Sequence, residues 1–80
     1  MADTAVTELA IKLAEECLSV QAETGDERLY REVGEVLGAS SQTLQEAFLT
    51  AVRTRMAAEK GRDFLARKLE AHRAAKTGAK

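Results

Sequence analysis

The side chains best suited to chemistry in this 80-residue chain are basic ones. Arg53, Lys60 and Arg67 recur every seven residues, as do Arg55 and Arg62. On one continuous helix that repeat returns to nearly the same side, so the five form two rails of positive charge. Such rails suit ionic docking on phosphates or on an acidic protein groove, and these five residues are the candidate partner-binding face. Other chemistry has little to work with. Cys17 and His72 are solitary, and no grouping of His, Cys, Asp or Glu has metal-ligand spacing. There is no Gly-rich phosphate loop or nucleophile elbow. Glu15-Glu16 and the Glu32/Glu35 pair fall on the wet faces of the helices described below, an unpromising place for acid–base catalysis. The expectation is a protein that is not an enzyme and holds no cofactor or metal.

The bases are unevenly distributed. Residues 1–50 carry ten acids against three bases, a net −7, whereas residues 51–80 carry nine bases against three acids, a net +6. An acidic front and a basic rear are the strongest clue to partners. The bland alternative for the rear is a solvated face neutralised within itself by Glu59/Arg62, Asp63/Arg67 and Glu70/Arg73.

The elements that must carry these charges are helical. The chain has no Pro and no Trp, and helix-favouring residues dominate its composition. Of the 45% hydrophobic residues, 15 are Ala, and only Tyr30, Phe48 and Phe64 are aromatic, so the core is thin. Val6, Leu9, Leu13, Cys17 and Val20, widened by Ile11 and Leu18, predict a helix over about 4–22 capped by Asp3 or Thr4. Thr24-Gly25-Asp26 marks a turn. A second helix is expected over about 27–37, burying Leu29, Val33, Val36 and Leu37, with Glu27/Arg31, Arg28/Glu32 and Arg31/Glu35 on its wet face. Gly38 is expected to stop it.

Ser40 or Ser41 then caps a third helix over about 41–60, built on Leu44, Phe48, Val52 and Met56, with Ala47 and Ala51 beside them. The later apolar positions, Phe64, Leu65, Leu69 and His72, centre well around the helix from that line. This offset and the helix cost of Gly61 predict a break or bend at 60–63, a further segment over about 62–75 and a frayed tail at 76–80. The fold class is therefore all-α: one domain, a small three- to four-helix bundle with a long or bent C-terminal helix.

The run Val33-Gly34-Glu35-Val36-Leu37-Gly38-Ala39-Ser40-Ser41-Gln42-Thr43-Leu44-Gln45-Glu46-Ala47 resembles the helix-turn-helix fingerprint over about a quarter of the chain. The resemblance implies that Gly34 lets two helices cross closely, that Gly38 makes the turn, and that Val33, Leu37 and Leu44 lock the corner. It departs from the pattern at Ala47, where a larger apolar residue is usual and Phe48 stands next door. In a DNA reader of this kind, Ser40, Ser41, Gln42 and Gln45 would face base edges in the major groove. That half of the chain is acidic, however, and phosphate neutralisation needs Lys and Arg.

The leading expectation is accordingly a noncatalytic interaction module, an adaptor or inhibitor docking on a larger protein or nucleoprotein assembly. A small helix-turn-helix DNA-binding regulator or packaging protein ranks second. Opposite charges and the small residues Ala47, Ala51, Ala58 and Gly61 also allow a homodimer. The same attraction within one chain would instead fold the basic tail back over the acidic helices. The apolar runs are too short to span a bilayer, and no leader pattern precedes the unpaired Cys17, so a reducing cytoplasm is expected.

Overall fold

A computed structural model describes residues 4–78. Three helices account for nearly all of them: α1 (Thr4–Thr24), α2 (Leu29–Ser40) and α3 (Gln42–Gly78). The expected cap Asp3 lies outside the described residues, as do residues 79–80 of the tail.

The first turn forms where its residue types require. Gly25 adopts φ +77°, and its N–H donates to the Gln21 carbonyl at 2.8 Å, which terminates α1. Asp26 Oδ1 accepts the Arg28 N–H at 3.1 Å. No side chain at Arg28 caps α2. Gln21 reaches across from α1 instead: its Oε1 accepts the Tyr30 N–H at 2.9 Å, meeting one of the helix's unpaired first-turn donors from another element.

The second corner is tighter than expected. Gly38 does not stop α2, which continues to Ser40 and is followed by a single extended residue, Ser41 (φ −154°, ψ 105°). Ser41 donates its N–H to the Leu37 carbonyl at 2.7 Å, closing α2. Its Oγ accepts the Leu44 N–H at 3.1 Å and its carbonyl accepts the Gln45 N–H at 3.0 Å, opening α3. One residue thus ends one helix and caps the next, which leaves Gly38 no turn to make. The start of α2 also shifts, from the expected residue 27 to Leu29.

The direction of the helices follows from what they share. Thr7 and Ala10 line a concavity with Thr43 to Ala51, Glu15 pairs with Arg55, and Leu18 and Ala22 lie beside Met56 and Glu59. α1 and α3 therefore run the same way and α2 returns between their ends. Ala10, Ala14, Cys17, Phe48 and Val52 are buried, ringed by half-buried residues such as Leu13, Leu29, Val33, Leu37 and Leu44. The Leu44–Phe48–Val52–Met56 line faces this core as its spacing predicts.

The stripe expected on α1 is rotated. Leu9 and Val20 are exposed, and the contact line runs through Ala10, Ala14 and Cys17. Alanine lets α1 approach the Phe48 ring more closely than leucine would, so the small residues take the centre and the larger ones its flanks. Val36, expected in the core, is 71% exposed, because α2 turns Val33 and Leu37 inward instead.

The largest correction concerns α3. No break occurs at 60–63 and no fourth helix forms: α3 is one helix of 37 residues, and it remains helical to Gly78 rather than fraying from 76. One glycine costs about 1 kcal/mol against alanine. Here it is flanked by strong helix formers (Ala57, Ala58, Glu59, Lys60, Ala66), and the space beside it is open, with nothing within 4 Å of where a Cβ would stand. Ala74, Ala75 and the terminal Lys76, favourable at the negative end of the helix dipole, carry the helix onward. The basic segment consequently does not fold back over α1 and α2. It projects, and the molecule is 62 Å long with a radius of gyration of 17.4 Å, against about 12 Å for a compact chain of this length.

Candidate interaction surface

Every residue from Ala57 to Lys76 is exposed. At 1.5 Å per residue this arm reaches about 30 Å. It carries Lys60, Arg62, Arg67, Lys68, Arg73 and Lys76 against Glu59, Asp63 and Glu70, a net +3, while residues 4–50 of the bundle carry nine acids against three bases, a net −6. The two signs are therefore segregated along the length of the molecule.

Within this frame the five candidate basic residues do not form one face. Arg53, Lys60 and Arg67 fall within about 40° of one another around α3, whereas Arg55 and Arg62 lie nearly opposite. Arg53 opens onto the hollow between α2 and α3, beside Tyr30, Arg31 and Glu35. Arg55 pairs with Glu15 of α1, both side chains about half exposed, and this is the one ion pair among the described residues. Arg62 shares a hollow with Glu15 and Glu59. The internal pairs considered for the arm, Glu59/Arg62, Asp63/Arg67 and Glu70/Arg73, do not close, nor do the three pairs on the wet face of α2. Lys60 and Arg67 stand in solvent without an ionic partner among the described residues.

The candidate base-reading residues are divided too. Ser40 and Gln42 are exposed. The Ser41 hydroxyl caps α3, and Gln45 donates from Nε2 to the Gly34 carbonyl at 2.9 Å, pinning α3 to α2. Both polar groups are thus engaged inside the corner. Gly34 is buried against Leu49, as the close helix crossing requires.

Two features of the surface were not singled out from sequence. The first is an open groove between α1 and α3, about 540 Å³ in volume, lined chiefly by Ala10, Ile11, Ala47, Thr50, Ala51 and Thr54. The second is the exposure of Phe64 (54%), Leu65 (66%) and Leu69 (47%) on the arm. The offset of those three from the Phe48 line, about 140° around the helix, was the available signal: on an unbroken helix it rotates them off the core.

Cys17 is buried, and its Sγ–H donates to Gln21 Oε1 at 3.8 Å. Burial, helped by the negative charge of Asp26, raises its pKa above the ordinary 9.0. The unfolded thiol ionises first as pH rises, so the folded state keeps its full advantage below pH 9 and loses stability above it. The urea midpoint is expected to fall between pH 8 and pH 10 by more in the wild type than in Cys17→Ala. Equal falls would show that the thiol keeps its ordinary ionisation. Among the described residues no three His, Cys, Asp or Glu side chains are grouped to hold a metal, and no helix is long and apolar enough to cross a membrane. Compared with protein-family models, with curated proteins and with solved structures, the chain matches none.

Proposed function

We propose that this chain is a noncatalytic helical interaction module, an adaptor or inhibitor that docks on an acidic surface of a larger protein or nucleoprotein assembly. The observation that carries the reading is the exposed rail of Arg53, Lys60 and Arg67 along α3, which has no ionic partner among the described residues and runs from the bundle out onto the arm. Most helix stability in proteins comes from packing a face against other elements, and the arm, exposed throughout, has none of its own. A partner that neutralises the rail would both stabilise the arm and gain charge-assisted hydrogen bonds. The lone buried Cys17 fits a reducing cytoplasm as the setting.

The test is capture from lysate with the tagged full chain, beside the triple variant Arg53→Glu/Lys60→Glu/Arg67→Glu. All three positions are exposed, so circular dichroism should be unchanged. The expected result is one discrete protein retained by the wild type, released by salt and lost by the variant. Retention of that protein by the variant would overturn the rail's role. The DNA-binding alternative makes a different forecast: duplex DNA should bind at low salt and dissociate steeply as salt is added. The engagement of Ser41 and Gln45 inside the corner weighs against it.

A further inference from the structure

The apolar arm and the apolar groove lie on one side of the same helix. Ala51, Ala58, Leu65 and His72 recur every seven residues along α3, and Ala47, Thr54, Gly61 and Lys68 interleave with them at spacings of three and four. This is the register of a helix seam nearly four heptads long. Its first half, with Ile11 and Ala10 of α1, floors the groove with small side chains. Its second half, flanked by Phe64 and Leu69, offers large side chains to solvent.

We infer that the occupant of the groove is the arm of a second copy, the two α3 helices packing antiparallel about a two-fold axis near Ala58 to Gly61. A single rotation then satisfies both halves at once. Phe64, Leu65 and Leu69 of each copy enter the partner copy's groove, where alanine and threonine leave room for them, and the two contacts are identical by symmetry. Gly61 and Ala58, at the axis, let the backbones approach.

Charge favours the same occupant. Reversing the chain direction carries the end of each +3 arm, with Arg73 and Lys76, toward the −6 bundle of the other copy, where Glu46 borders the groove and Glu8 lies on the first turns of α1. A parallel pair would instead set arm against arm and bundle against bundle, like charge on like. An anionic lipid surface would match the arm's charge but leave the groove empty. The seam lies about 120° around α3 from Arg53, Lys60 and Arg67, so the dimer leaves that rail open.

Sedimentation equilibrium on the full chain over a concentration series should return twice the chain mass. Leu65→Asp/Leu69→Asp, in the exposed arm, should raise the dissociation constant at least about 100-fold. Thr54→Trp, which fills the groove from an exposed position, should do the same while leaving circular dichroism unchanged. Orientation is read by crosslinking in a Cys17→Ser background. Positions 54 and 65 lie about 16 Å apart along one helix, so Thr54→Cys/Leu65→Cys forms a disulfide between chains when they are antiparallel. A monomeric wild type, a dimer indifferent to both the arm and the groove substitutions, or efficient crosslinking of Leu65→Cys alone would each overturn the inference. The oligomeric state is measured without any partner, so its failure is distinguishable from failure of the rail.

Discussion

Phe48→Ala is expected to lower stability by about 3–5 kcal/mol, enough to unfold much of the population at room temperature. Phe48 and Val52 are the largest side chains with no solvent exposure, and the rest of the buried core is Ala10, Ala14 and Cys17. Those residues are too small to collapse into the space the ring would leave, so the substitution loses the transfer free energy of the ring and leaves a cavity as well. A domain of this size holds only some 4–12 kcal/mol in total. The consequence should be cooperative, because the cluster that holds Phe48 also contains residues of α1 and is packed by Leu29, Val33 and Leu37 of α2. Urea denaturation followed by circular dichroism at 222 nm is the measurement. A shift in unfolding free energy below about 1 kcal/mol would mean that the core is centred elsewhere.

Gly34→Leu is the second large effect, expected to cost about 1–3 kcal/mol through overpacking. A Cβ at Gly34 would lie 3.2 Å from Leu49 Cδ2, so alanine is already tight and a branched side chain has nowhere to go without parting α2 from α3. That parting would also break the Gln45–Gly34 hydrogen bond. Gly38 stands under the same strut: a Cβ there would meet Gln45 Nε2 at 2.6 Å. The steric cause can be isolated with a double-mutant cycle, since Leu49→Ala should recover part of the loss in Gly34→Leu although it is destabilising alone. Strict additivity of the two changes would exclude a clash between these side chains as the cause.

Both effects fall on residues whose importance was readable before any coordinates. Phe48 belongs to a spacing-of-four line, and Gly34 is the small residue that a close helical corner demands. The resemblance to a helix-turn-helix was informative about this packing and less so about recognition. The crossing at Gly34 is present, but the turn shrinks to Ser41, and two of the four residues expected to face bases are hydrogen-bonded within the corner instead.

The sequence by itself determined the helical class, the turn at Gly25, a serine cap ahead of α3 and the uneven distribution of charge along the chain. These depend on propensity, local hydrogen bonding and composition, which act over a few residues at a time. Only the tertiary structure decided which side of α1 faces inward, because that depends on how near alanine lets it come to a ring more than thirty residues away. It likewise decided that α3 passes Gly61 unbroken: a helix cost of about 1 kcal/mol bends a chain only when another surface draws the following segment toward it, and here every residue from Ala57 to Lys76 stays exposed. From that one outcome follow the arm, the two-sided placement of the five bases and an apolar flank left facing solvent.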